Sequence, residues 1–319
     1  MSLISDIYLI SLSSCYNEKM KIRFSDDRKI FNLHTDGIPC LSFDMLDRLG
    51  IPNLFSTRYI SYDNASDTGV EGLRVTVMKT DDINEAAPTV IANREKLAAQ
   101  IGSSVKMECF VEQKHTAEIY VVTPDDLGPV WPEKIPVARQ HVDGMVTDVP
   151  DALLSVFGGD CPSIYLADPV RKATALVHAG WRGTLHRIPA AAIDALTGRF
   201  QCDPKNIYAA IGPGICRECY EMGDEVYDEF ASEWGAADAD RILQKYPAKD
   251  EDGHDIPGGK YHLDLRAANL ITLKRAGIPD DHIAVSNVCT RCNSDIFYSY
   301  RAHRMENEQV AMIVNRFGK

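Results

Sequence analysis

Residues 152–183 read ALLSVFGGDCPSIYLADPVRKATALVHAGWRG, and the fold turns on how this stretch is parsed. ALLSVF, SIYLA and ATALVH are short apolar runs of strand length, each bounded by turn-forming residues. Each run then meets something the scaffold does not need: Gly158-Gly159-Asp160-Cys161 after the first, His178 and Gly180-Trp181-Arg182-Gly183 after the third. Interruptions of this kind put polar or reactive atoms at strand ends, where a rigid framework presents binding groups.

Upstream, VKMECFVEQKH, AEIYVV and VDGMVTD also read as strands, and 19–60 reads as short strands and turns (MKIRF, LSFDML, NLFSTR). Between them, residues 80–102 place Asp and Asn caps before an apolar-periodic run, which predicts a helix. Downstream, 184–200 is helical, with Pro189 tolerable only near its first turn. IYAAIGPGI (207–215) is a strand ending in a Gly-Pro-Gly turn. Residues 220–235 and 262–276 read as amphipathic helices, the second closed by Gly277. The charged, Gly/Pro-rich segment 245–262 between them predicts an exposed loop or lid. HIAVSNV and VAMIVNRF supply two last strands around a Cys-rich turn. Strands alternate with helices but also occur in runs, and no linker or repeat interrupts them. The expectation is one α+β domain over residues 1–319, with mixed sheets flanked by helices.

A chain of 319 residues, 45% hydrophobic and 25% charged, has ordinary globular composition. At this length folding buries roughly 75% of the unfolded surface, enough for stability without disulfides. The net charge of −12, without a basic run, argues against nucleic acid as the main partner, since that binding rests on phosphate neutralisation. No apolar stretch reaches the roughly 18–20 residues that cross a bilayer. Leu12-Ser13-Ser14-Cys15 faintly resembles a lipoprotein cleavage site, but no Lys or Arg precedes it and Asp6 interrupts the apolar run, so export is not expected. Nine scattered cysteines fit reduced thiols in a cytoplasmic setting.

His115, in VEQKHTAEIYVV (111–122), joins Cys161 and His178 as the candidate catalytic set. Two imidazoles and a thiolate are three good zinc ligands and leave a fourth tetrahedral position for water or substrate. Taken singly, each is more often a core residue. The nearest competitor is a metal-free nucleophilic pair, Cys161 with His178 as base. Asp160 is a candidate for substrate binding or for orienting the site; the plain alternative is a carboxylate that caps a turn. Arg182 and Arg58 are candidate anion sites, each suited to a bidentate phosphate contact. Trp181 reads as core. Two C-x-x-C pairs, Cys216/Cys219 and Cys289/Cys292, are reduced thiols near turns or the halves of a structural Cys₄ zinc site.

With GGDCPSIYLADP followed by LVHAGWRGT, the chain resembles the YfiH or laccase-domain family, whose members have been described both as polyphenol oxidases and as purine nucleoside phosphorylases. The likeness extends through LFSTR (54–58), ANRE (92–95), Gln113-x-His115, VDGMVTD (142–148), IGPGICRECYEMGDEV (211–226), DLRAAN (264–269) and CT…FYSYR ending at Arg301. It departs from the family pattern at YISYDNAS (59–66), where a Gly-rich turn is usual, and at AHRMENEQVA (302–311), in place of an Arg-rich end. The resemblance implies a single CNF/YfiH-like α+β domain and a zinc site of His115, Cys161 and His178, with copper as the alternative metal. It also implies phosphorolysis of adenosine, inosine, guanosine or methylthioadenosine, and deamination of adenosine, with purine nucleosides and phosphate as partners.

Other readings stay open. A multicopper laccase needs many paired histidines, whereas this chain has nine His and no His-x-His. A cysteine hydrolase or deamidase would stay active without metal. A binding module would turn over no nucleoside. The H-x-E…P-C-x-x-C signature of cytidine deaminases is absent.

Overall fold

The computed structural model describes residues 20–61, 72–76, 83–128, 137–249, 253–304 and 307–318. The Cys15 segment, most of YISYDNAS, residues 250–252 of the expected lid and residues 305–306 of AHRMENEQVA lie outside the described residues.

In chain order the elements begin with β1 (Phe31–His34), β2 (Cys40–Phe43), α1 (Asp44–Arg48), β3 (Asn53–Ser56), α2 (Ile83–Gln100), β4 (Glu108–Phe110) and β5 (Ile119–Val121). Next come β6 (Gly144–Thr147), β7 (Leu153–Gly158), β8 (Ser163–Asp168), β9 (Ala173–His178), α3 (Trp181–Leu185), α4 (Ile188–Phe200) and β10 (Tyr208–Ile211). The last third holds β11 (Glu221–Met222), α5 (Asp224–Trp234), α6 (Ala236–Ile242), β12 (Leu243–Tyr246) and β13 (Lys260–Leu263). It closes with α7 (Leu265–Arg275), β14 (Ile283–Val285), α8 (Tyr300–His303) and β15 (Gln309–Val314).

Two six-stranded sheets dominate, ordered β1-β2-β3-β15-β7-β4 and β14-β10-β8-β9-β6-β5, beside a small sheet β11-β13-β12. Both large sheets are mixed: β4 runs parallel to β7, β5 to β6 and β14 to β10, while the other pairs are antiparallel. The sheets stack face to face, and side-chain alternation along the central strands shows why. In β7, Leu154 and Val156 enter the core between the sheets, while Leu153 and Phe157 face the α2 side. In β8, Tyr165 and Ala167 point inward to that same core and Ile164 and Leu166 outward to α4. Strands buried on both faces are apolar almost throughout, which is how residues 152–183 read. The Tyr165 hydroxyl crosses between the sheets and donates to the Leu54 carbonyl at 2.8 Å.

Helices cover the outer faces. α4 buries Ile188, Ala192 and Leu196 in one stripe with Ile193 beside it, against Val146, Ala175 and Val177. α2 lays Leu97 and Ala98 on the other sheet. Its Arg94 forms a buried ion pair with Glu108 of β4 at 2.5 Å, with the guanidinium over the Phe110 ring.

Three local expectations need correction. LSFDML is not one strand: β2 ends at Phe43, and Asp44 opens the short helix α1. The helix expected over 184–200 is two, because Arg187 takes a left-handed backbone (φ 56°) between α3 and α4; Pro189 sits in the first turn of α4. The expected loop 245–262 carries strand at both ends, where Lys245 and Tyr246 pair with Tyr261 and Lys260. Among the described residues no helix is long and apolar enough to cross a membrane.

Candidate metal centre

Two chain segments cross from one large sheet to the other at the same end. β4 and β7 run parallel in the first sheet, so both leave it at that end. The β4 exit passes through His115 into β5, and the β7 exit passes through Gly159-Asp160-Cys161-Pro162 into β8. His178, the last residue of β9, pairs with Ser163 at the start of β8 and lies at that end too. The convergence of the three residues is therefore a consequence of topology.

Their ligand atoms lie within 4.8 Å of one another. Cys161 Sγ is 3.8 Å from His115 Nε2, and the two imidazole rings meet edge-on with centroids 4.9 Å apart. His178 is buried, Cys161 half-buried and His115 exposed, so the cluster opens to solvent on the His115 side. Such graded exposure suits a three-ligand centre that keeps an open position.

Asp143, wholly buried, organises both histidines. Its Oδ1 accepts the His115 amide at 2.9 Å and meets His178 Nδ1 at 2.9 Å. Its Oδ2 accepts the amides of Lys114 and Thr116 and the Thr116 hydroxyl. Burial works against ionisation of this carboxyl, but the His178 and backbone hydrogen bonds outweigh it and hold the pKa at about 2. The loop wraps so tightly around the carboxylate that His115 takes a left-handed backbone, φ 61°. With Nδ1 of His178 committed to Asp143, Nε2 is the nitrogen left to face the centre.

Burial disfavours the Cys161 thiolate, yet the His178 charge and the His115 hydrogen bond bring the thiol below its ordinary range. The His178 imidazole moves up, the thiolate and Asp143 outweighing its desolvation. A site that favours thiolate beside two imidazoles fits a borderline-soft cation such as zinc. Gly180 leaves it room: a Cβ there would lie 2.3 Å from His115 Cδ2 and 3.2 Å from Cys161 Sγ.

The other expected residues occupy different places. Asp160 is committed elsewhere: its carboxylate accepts the Thr290 and Ser299 hydroxyls and the Arg301 amide, fixing the 290–301 segment against Cys161. Arg58 donates to the Ser294 carbonyl and stacks on Tyr298, on that same segment. Arg182 is exposed, its guanidinium 4.3 Å from the centroid of the Trp181 ring, and Trp181 packs on the cluster around Phe230 and Trp234.

Two contributors escape residue-by-residue reading. Asp143 stands in VDGMVTD, but its partners lie on the 114–116 loop and at the end of β9, which only the fold brings to it. Glu308, just before β15, is a half-buried carboxylic acid that burial pushes upward, within electrostatic reach of His178 and His115. Arg304, Glu306 and Glu308 all precede the apolar strand, so nothing in the sequence singled this one out.

A model of the family described as multi-copper polyphenol oxidoreductase laccase matches residues 66–316. The chain is 32% identical over 245 residues to "Purine nucleoside phosphorylase YlmD" of Geobacillus stearothermophilus, covering 77% of this chain and 82% of that protein. It is 33% identical to "Adenosine deaminase RL5" from an unknown prokaryotic organism, covering 69% of this chain and 79% of that one. The crystal structure of Bacillus licheniformis YfiH superposes with a TM-score of 0.71 at 27% identity, over 88% of this chain and 98% of that chain.

Proposed function

The chain belongs to the multi-copper polyphenol oxidoreductase laccase family, and we propose that it is a zinc-dependent purine nucleoside phosphorylase. Its substrates on this reading are adenosine, inosine, guanosine or methylthioadenosine with inorganic phosphate, and adenosine deamination is a second activity of the same pocket. The reading takes residues 1–319 as one cytoplasmic domain. One observation carries it: His115, Cys161 and His178 converge on a centre open on one side, with Asp143 holding the His178 ring and the His115 backbone. The names of the relatives at 32% and 33% identity support the substrate class.

His115, Cys161 and His178 would hold the metal, which when bound supplies a Lewis acid for a phosphate or water oxygen. Asp143, ionised, keeps the proton on His178 Nδ1 and so presents Nε2 inward. Arg182 offers a guanidinium fork to phosphate at the solvent side, and Arg58 and Asp160 keep the 290–301 wall in place. Glu308, held toward its acid form by burial, is the donor we assign to the departing purine nitrogen as the sugar gains oxocarbenium character.

A metal-free cysteine mechanism is favoured by one specific observation, the lowered Cys161 thiol beside two imidazoles. The oxidase reading rests on the family's description, and among the described residues histidine enters a metal-type cluster only at His115 and His178. Product analysis of adenosine and inosine with and without phosphate tests the proposal. Phosphate-dependent free base indicates phosphorolysis, phosphate-independent inosine indicates deamination, and Cys161→Ala abolishes both. Full turnover after rigorous metal removal would overturn the zinc reading in favour of the thiol.

A further inference from the structure

The two C-x-x-C pairs, some 70 residues apart in the chain, meet in space, and the chemistry above makes no use of them. β10 and β14 run parallel as neighbours, and the pairing continues beyond them as a bridge between Gly214 and Cys289. This continuation sets the Gly-Pro-Gly turn, with Cys216 and Cys219, against the turn that carries Cys289 and Cys292.

All four sulfurs lie within 4.8 Å of one another, with Cys219–Cys292 at 3.6 Å and Cys216–Cys292 at 4.0 Å. A disulfide holds its sulfurs about 2.0 Å apart. A tetrahedral ion with bonds of about 2.3 Å to four thiolates sets them about 3.8 Å apart along each edge. Both distances bracket that edge.

Backbone geometry agrees. The amides of Cys216 and Cys292 point at Cys289 Sγ, at 3.2 and 3.4 Å, the arrangement that stabilises a charged thiolate. Arg291 donates to the Cys219 carbonyl and places a cation beside a cluster that would carry net negative charge. Cys216 and Cys289 are buried, Cys219 is half-buried and Cys292 is exposed. Four sulfur donors complete a tetrahedron with no position left for water, which separates this site from the three-donor centre.

We propose that Cys216, Cys219, Cys289 and Cys292 bind a second, structural zinc ion that locks the Gly-Pro-Gly turn to the 289–301 segment. Binding exchanges the thiol protons for one Zn²⁺ and moves no electrons. The lock reaches the first centre through Asp160. Thr290, next to Cys289, donates to Asp160 Oδ1 at 2.6 Å, and the Ile215 amide, next to Cys216, donates to the Asp160 carbonyl at 2.8 Å. Both jaws of the knuckle thus grip the residue that precedes Cys161. The four cysteines act by positioning, and the proposal stands whichever reaction the first centre performs.

The test is metal and thiol counting on the full chain purified without chelator, for the parent, Cys161→Ala, Cys292→Ser and the double variant. Cys292 is exposed, so its substitution opens no core. Plasma mass spectrometry should find two zinc ions per chain in the parent, one in each single variant and none in the double. In Cys161→Ala, four further thiols should become reactive toward a disulfide reagent when a strong chelator removes the remaining zinc. Cobalt exchanged into Cys161→Ala should give the intense near-ultraviolet thiolate-to-metal absorption of a tetrahedral sulfur site. Cys161→Ala without zinc, Cys292→Ser with the parent's zinc content, iron in place of zinc, or two disulfides among these cysteines would each overturn the proposal.

Discussion

Asp143 and His178 share a hydrogen bond of 2.9 Å between Oδ1 and Nδ1, and that same oxygen also takes the amide of His115. One carboxylate therefore sets two of the three residues of the candidate centre, one through its ring and the other through its backbone. Asp143→Asn keeps the shape but removes the charge and offers a donor where acceptors are needed. Loss of such an outer partner typically weakens metal binding about 10–100-fold. Competition against a chromophoric chelator should show zinc affinity at the His115/Cys161/His178 centre falling within that range.

Gly180→Ala isolates the role of space. Its backbone, φ −65° and ψ 169°, suits any residue, so the substitution adds a methyl without backbone strain. The methyl would press on the His115 ring and approach Cys161 Sγ. We expect a folded protein with a melting temperature near the parent's and zinc affinity at this centre reduced by at least about tenfold, the lower bound for a disturbed ligand shell. Calorimetry and chelator competition together check it; unchanged affinity would show that His115 swings aside without cost.

Gln113 acts as a strand made of a side chain. Its Nε2 donates to the Phe157 carbonyl at 2.6 Å and its Oε1 accepts the Phe157 amide at 2.8 Å, extending β7's pairing beyond the end of β4. Gln113→Ala strips partners from both backbone groups, at about 1–3 kcal/mol for each left unsatisfied. Urea unfolding should register the loss as a lower midpoint with an unchanged slope.

The Arg94–Glu108 pair joins α2 to the sheet with both groups buried. Arg94→Ala leaves Glu108 charged and alone and should destabilise the fold by about 3–5 kcal/mol. Arg94→Ala with Glu108→Leu should recover much of that loss. Equilibrium denaturation of the parent, the single and the double variant decides it.

Residues 152–183 declared their strands because each is buried on both faces, which leaves apolar runs bounded by polar residues. His115, Cys161 and His178 stood out as reactive residues at the margins of those runs. What joins them did not, because Asp143 and Gln113 act on groups 27–44 positions away, and a chain read in order shows no such distances. Asp160 attracted notice as a neighbour of Cys161, but its partners Thr290, Ser299 and Arg301 come from the far end of the sequence. The break at Arg187 escaped notice because nothing in the residue type announces a left-handed backbone.

The β8–β9 hairpin has one more use. His178 and Ser163 pair at the end that carries the His115/Cys161/His178 cluster, and Asp168 and Ala173 at the other, where Val170 stands 65% exposed on the connecting turn. At about 3.3 Å per residue the hairpin spans roughly 17 Å. A fluorophore or a tether to a solid support grafted at Val170 would report on, or immobilise, this molecule without obstructing the open side of the His115/Cys161/His178 cluster.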